Sequence, residues 1–175
     1  MGKVLSICIP TYNRAEFLQY NLLSITDQFD VDPSLKDLVE IVISDNASAD
    51  GTKEMMAGFV EKYANIIYTR NDTNIGFDRN LNNAIKLASG KYCLTLGDDD
   101  ALFPEALSVL VKKVLATNVP YYLVGHVGYS RDMRRAYKNE HDAGAPEDRL
   151  YGSLQDYVRS LGGYVKVIGI FGGMS

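Results

Sequence analysis

The chain has 175 residues, enough for one domain with a buried core, or for one domain and part of a second. Hydrophobic residues make up 46% and charged residues 23%, the mixture of an ordinary globular protein. A net charge of -4 without any long basic block argues against nucleic-acid binding through a phosphate-matching surface. No apolar stretch approaches the roughly 20 residues that span a bilayer, and the start, "MGKVLSICIPTYNR", turns polar too soon for a secretory leader. The expected location is cytoplasmic, with peripheral contact at the inner face of a membrane left open. Cys8 and Cys93 both sit in apolar runs at no metal-ligand spacing, so both are expected to be buried, reduced side chains.

In chain order, "VLSICI" (4–9) is a short apolar run with the character of a buried strand. Ala15, Leu18, Leu22, Ile25 and Phe29 then recur at helical spacing, and "LVEIVIS" (38–44) is a second strand. A helix over about 51–63 has Met55, Met56, Phe59, Val60 and Tyr63 on one side and Asp50 as its expected N-cap. "NIIYTR" (65–70) gives a third strand. Phe77, Leu81, Ala84, Ile85 and Ala88 mark a third helix that "SGK" (89–91) closes with a glycine stop. "YCLTL" (92–96) is the fourth strand, and Pro104 in a first helical turn opens a fourth helix carrying Leu107, Leu110, Val111, Val114 and Leu115. This alternation predicts an α/β fold, a mostly parallel sheet covered by helices on both faces.

After Pro120 the regularity fades, so the chain is divided into an α/β unit over 1–120 and a less regular region over 121–175. The latter reads as a strand at 121–130, a segment pairing near it at 133–139, a charged loop at 140–149, a helix at 153–161 and a strand at 164–171. His126 and His141 have no partner at ligand spacing and are taken as structural.

In open parallel sheets, ligands bind where the loops leave the carboxyl ends of the strands. The four exits are "PTYNR" (10–14), "DNASADGT" (45–52), "NDTNIGFDRN" (71–80) and "GDDDA" (97–101), all polar and three of them acidic. The first exit lacks glycine, which excludes both a Walker A loop and the dinucleotide fingerprint. A diphosphate bound here would need another source of positive charge. Asp98, Asp99 and Asp100 suit a hard divalent cation, Mg²⁺ or Mn²⁺, which takes one or two carboxylates and completes its shell with phosphate oxygens and water. Two readings stand side by side at this point: that cation site, or acids that complement the dipole of a helix beginning near Phe103. Asp45 and Asp50 are likewise open to turn and cap roles, Tyr12 to a core role, Arg79 to a surface role, and Asn74 with Gly76 to a tight turn.

The four segments "SICIPTYNRAEFLQYNLLSI", "EIVISDNASADGT", "RNDTNIGFDRNLNNAI" and "GKYCLTLGDDDALFPEAL" together resemble, in order, the family 2 glycosyltransferases of the GT-A fold, over residues 3 to 115. Within the family they look most like bacterial enzymes that build surface polysaccharide or lipopolysaccharide. The resemblance implies a nucleotide-diphosphate sugar donor, with UDP the default nucleotide, a divalent cation (Mn²⁺ or Mg²⁺), and transfer with inversion to a saccharide or lipid-linked saccharide acceptor. It implies that Pro10, Tyr12 and Arg14 line the nucleotide end, with Tyr12 beside the base. Asp45 would accept a hydrogen bond from the base, Asp50 is a further candidate in the same loop, and Arg79 would reach the base or the diphosphate. Asp98 would sit near the ribose, Asp99 would ligate the metal, and Asp100 would support it. Many members read D-x-D-D where this chain has G-D-D-D, so Gly97 is the departure to explain.

The resemblance also implies a general base, an Asp or Glu beyond the acidic segment. Glu140, Asp142, Glu147 and Asp148 are present there, and nothing singles one out. Because the chain stops 75 residues after Asp100 while family members commonly run on, it is expected to be C-terminally incomplete. Two alternatives follow: a donor-binding module without turnover, and a sugar-1-phosphate nucleotidyltransferase. The latter generally needs a glycine-rich basic loop after the first strand, which "PTYNR" is not.

Overall fold

The computed structural model describes residues 2–117. These lie in the first of two compact units, Met1–Pro120; the second, Tyr121–Ser175, is outside the described residues, as are all elements and candidate bases expected there. The order is β1 (Leu5–Thr11), α1 (Ala15–Val31), α2 (Leu35–Leu38), β2 (Val39–Asp45), α3 (Thr52–Lys62), β3 (Ile66–Arg70), α4 (Phe77–Leu87), β4 (Tyr92–Thr95) and α5 (Ala106–Ala116). All pairings are parallel and the spatial order is β3-β2-β1-β4.

That order follows from the handedness of crossovers. From β1 to β2 and from β2 to β3 the chain steps outward in one direction, so right-handed connections put α1 and α3 on one face. From β3 it returns past β2 and β1 to β4, so the same rule puts α4 on the other. The packing agrees. Ile7, Ile9, Ile41 and Ile43 pack with Leu18, Leu22, Ile25 and Phe29 of α1, Met56 of α3, and Leu107 and Val111 of α5. Cys8 and Val42, on the alternate face, pack with Ala84 of α4. Covered on both sides, β1 and β2 are buried at every position, which is why their sequences read as apolar runs rather than alternations.

Several expectations are corrected. Helix α2 has no counterpart in the sequence reading because its four residues make barely one turn and cannot show a repeat. Pro104 precedes α5 rather than opening it; the helix begins at Ala106 after Glu105, which sits at φ 67°. The acidic cluster is thus separated in sequence from the helix start by a turn, and a macrodipole effect fades beyond the first turn. Gly90 is not a left-handed helix stop, since α4 ends in extended backbone at Ala88. Glycine is needed there because a Cβ would come within 2.7 Å of Ser6 N and 2.8 Å of Leu5 C. Val60, Phe77 and Ile85, placed on inner helix faces by spacing, are exposed. Cys8 is buried, and burial first, then the neighbouring Cys93, pushes its thiol up to about 12. Cys93 itself is exposed: β4 ends the sheet among the described residues, and α4 packs on β1 and β2. Among the described residues no helix is long and apolar enough to cross a membrane.

Candidate functional site

The strand order reverses between β1 and β4, so the crevice at their carboxyl ends is the topological switch point of the sheet. Backbone chemistry opens it. Carbonyls of even-numbered residues around β1 face β4: Val4 O accepts from Tyr92 N at 3.0 Å, and Cys8 O from Leu96 N at 3.1 Å. Pro10 is next on that side and has no N–H to offer. The β1–β4 ladder ends at the Cys8–Thr95 pair, and the two chains part.

The acidic loop fills the mouth of that crevice. Asp98 is buried, and its Oδ2 accepts a hydrogen bond from Thr11 Oγ1 at 2.8 Å. Arg14 Nη1 lies 3.2 Å from Asp98 Oδ1 and 2.9 Å from Asp99 Oδ2, so one oxygen from each carboxylate converges on a single cationic nitrogen. Burial pushes the Asp98 carboxyl above its ordinary range, with the Asp99 charge adding to it, while Thr11 and Arg14 pull the other way. The Arg14 guanidinium is in turn pushed up, chiefly by Asp98. Asp99 is about half-exposed.

Asp100 turns back on its own loop. Its N–H donates to Gly97 O at 3.2 Å and its Oδ2 accepts from Gly97 N at 3.0 Å, closing the turn. A Cβ at position 97 would stand 2.9 Å from Asp100 Oδ2 and 3.0 Å from Asp99 Oδ1. Gly97 thus lets the Asp99 and Asp100 carboxylates close in on the turn without meeting a side chain.

The other candidates separate into distinct settings. Asp45 is fully buried: Oδ1 accepts from Ser48 N at 2.9 Å, and Oδ2 accepts from Tyr68 Oη at 2.7 Å with Arg70 Nε at 3.5 Å. Thr11, Asp45 and Arg70 are register partners across β1, β2 and β3, so this row is level with the strand ends. Desolvation, and then the Asp45 hydrogen bond, raise the Tyr68 hydroxyl well above its usual value. Asp50 ties two helix starts together. Its Oδ2 accepts from Ala15 N at 3.0 Å and its Oδ1 from Thr52 N at 3.1 Å and from the Thr52 hydroxyl, although the cap position itself is Gly51. Tyr12 stands 45% exposed at the exit of β1, and Arg79 is exposed in the first turn of α4. Arg14, Asp98 and Asp99 are thus in mutual contact, whereas Asp45 and Asp50 have other partners.

Residues unremarked in the sequence hold this site. Asn13, at φ 53°, accepts at Oδ1 from Ala49 N at 2.7 Å and donates its own N–H to Ser48 Oγ at 2.9 Å, joining the first two exits. Asn tolerates this left-handed backbone better than most residues. Asn80 of α4, buried, donates to Ser44 O at 2.8 Å and accepts from Ser44 Oγ and Asn71 Nδ2. On α1, Asn21 donates to Gly97 O and Asp100 O, each at 2.9 Å. Asn21 and Gln28 occupy the apolar stripe of Leu18, Leu22, Ile25 and Phe29, and polar residues in such a stripe are the signal that was available.

The donor set fits a magnesium- or manganese-like ion. Among the described residues no three His, Cys, Asp or Glu side chains form a ready cage. The two converging carboxylate oxygens match instead the mode in which one or two carboxylates share the ion with substrate phosphates.

The family model described as glycosyl transferase family 2 matches residues 6–173. An abequosyltransferase of Salmonella typhimurium is 47% identical over 110 residues, covering 61% of this chain and 31% of that protein. A GalNAc(5)-diNAcBac-PP-undecaprenol beta-1,3-glucosyltransferase of Campylobacter jejuni is 37% identical over 110 residues, covering 62% and 34% respectively. Among solved structures, S. aureus TarS in complex with UDP-GlcNAc superposes with a TM-score of 0.57 at 25% identity, over 65% of this chain and 31% of that one. The mannosyltransferase PcManGT of Pyrobaculum calidifontis, in complex with GDP-Man and Mn²⁺, gives 0.54 at 27% identity, over 66% and 33%. The chain spans about a third of the length of these curated relatives. With the family model extending over nearly all of it, the chain belongs to glycosyl transferase family 2.

Proposed function

We propose that the protein transfers a sugar from a nucleotide-diphosphate donor, UDP being the first candidate, to a hydroxyl of a saccharide or lipid-linked saccharide, with inversion at the anomeric carbon. The observation that carries this reading is the convergence of Asp98 Oδ1 and Asp99 Oδ2 on one positively charged point at the switch point of the sheet. Solved neighbours bound to UDP-GlcNAc and to GDP-Man with Mn²⁺ support it.

In this reading Asp99, with Asp98, would hold Mn²⁺ or Mg²⁺, which would supply positive charge to offset the charge that develops on the leaving diphosphate. Asp98, fixed by Thr11, orients the ribose side. Asp100 supports the turn through Gly97. Arg14 leaves its carboxylate partners to face phosphate, and Arg79 reaches the base or diphosphate from α4. Tyr12 offers its exposed ring to the base, over a floor that includes Pro10. For Asp45 to accept from the base, one of its oxygens must be released by Tyr68 or Ser48, and Asp50 keeps the loop beside it in shape. The acceptor hydroxyl loses its proton to a carboxylate from beyond the described residues. A cytoplasmic location goes with this reading, at the inner face of the membrane if the acceptor is lipid-linked.

The test is a panel of nucleotide sugars, offered with and without Mn²⁺, read by thermal shift and by product formation with the anomeric configuration assigned by NMR. Metal-dependent stabilisation by one nucleotide class and an inverted product support the proposal. Stabilisation without transfer reduces it to a donor-binding module, and no stabilisation by any donor overturns it.

A further inference from the structure

Helix α1 presents three polar side chains, Asn21, Ser24 and Gln28, at helical spacing toward the segment that carries the acids. Asn21 Nδ2 donates to the carbonyls of Gly97 and Asp100, both at 2.9 Å, and so grips the two ends of the turn that displays Asp98 and Asp99. Ser24 Oγ accepts from Leu102 N at 3.0 Å. Gln28 donates to Phe103 O at 3.2 Å and accepts from Leu107 N at 2.9 Å, supplying to α5 the cap that its own sequence lacks.

The Asn21 amide is almost wholly buried, and its Oδ1 has no partner. An orphaned buried acceptor is destabilising, so the amide stands in this stripe at a cost that only its two donated bonds offset. Two carbonyl acceptors fix which end of the amide faces the turn, and the residue is there for its donors. We infer that Asn21 is a positioning residue for the acidic pair, the first rung of a ladder with Ser24 and Gln28 that holds residues 97–107 in place for cation and diphosphate. This inference rests on the donor-binding reading above. Asn21 touches neither donor nor cation; it acts through the carbonyls of Gly97 and Asp100.

The experiment uses the full chain, with Asn21→Leu, the size-matched Asn21→Asp, and Ser24→Ala beside wild type. UDP affinity is measured by calorimetry with and without Mn²⁺, and amide exchange is followed along the chain. For both Asn21 variants the expected result is at least a tenfold loss of UDP affinity with Mn²⁺, affinity without metal within twofold of wild type, and faster exchange confined to 97–107. Wild-type metal dependence and wild-type exchange in a folded Asn21 variant would overturn the inference. If neither Asn21 variant folds, Ser24→Ala decides by the same two readouts. Should wild type itself show no metal dependence, the donor-binding reading fails. The exchange arm then judges the clamp alone: acceleration restricted to 97–107 upholds it, and unchanged exchange removes it.

Discussion

Thr11 Oγ1 donates to Asp98 Oδ2 across 2.8 Å, joining the end of β1 to the loop after β4 at the point where the sheet reverses direction. Both side chains are buried. Thr11→Val keeps the shape and removes the donor, leaving a buried carboxylate short of a partner. Hydrogen bonds to charged groups are worth about 1.5–3 kcal/mol, so urea unfolding at neutral pH should show a loss of that order, with Thr11→Ser retaining most of the stability.

Glycines 90 and 97 make opposite predictions. At Gly90 an added Cβ meets backbone atoms of Leu5 and Ser6 that belong to a central strand. Gly90→Ala should therefore destabilise by about 1–3 kcal/mol, the usual cost of overpacking. At Gly97 the nearest atoms are the ends of the Asp99 and Asp100 side chains, which can move. Gly97→Ala should leave the melting temperature nearly unchanged while weakening Mn²⁺ binding, because the carboxylates that yield are the ones proposed to serve the ion. Thermal melts of both variants, and a Mn²⁺ titration of the second, check the pair.

Glu40 gives a pH dependence. It is buried, accepting from Ser6 Oγ and Ser89 N at 2.6 Å each and from Ser89 Oγ at 2.8 Å. Burial alone would push its carboxyl up, but these bonds outweigh burial and hold it below its ordinary value of 4.5. The unfolded chain thus takes up the proton at higher pH than the folded one. The stabilisation is fully present above pH 4.5 and lost as the pH falls through the lower, folded value. Glu40→Gln should accordingly be less stable than wild type at neutral pH, with the gap closing under acid. A gap that is constant across the titration would contradict the assignment.

The buried halves of this fold were easy to read and its borders were not. Strands β1 and β2 are legible because a sheet covered on both faces favours near-continuous apolar runs, the few buried polar residues, such as Glu40 and Asp45, being hydrogen-bonded. The start of α5 was misplaced because its cap comes from Gln28, far away in sequence, and because Glu105 adopts a left-handed backbone that no local pattern signals. Exposure of Cys93 goes with β4 being the last strand of the sheet among the described residues, a matter of topology rather than of its own apolar neighbours. At the site, residue type was enough to single out the aspartate run, and the family resemblance added Arg14; Asp98, Asp99 and Arg14 converge. It did not show that Asp45 and Asp50 are engaged by Tyr68, Ser48, Ala15 and Thr52, since those partners come from other strands and helices. The Asn21 clamp was the readable feature that went unread: an amide in the middle of an apolar stripe has to be hydrogen-bonded to something.

The central claim is that Asp98 and Asp99 hold the cation that carries the donor's diphosphate. Calorimetric titration of UDP into wild type and Asp99→Ala, each with and without Mn²⁺, tests it most directly. Mn²⁺ is expected to strengthen UDP binding by tenfold or more in wild type and to make no difference in Asp99→Ala. Equal enhancement by Mn²⁺ in both proteins would place the ion away from Asp98 and Asp99.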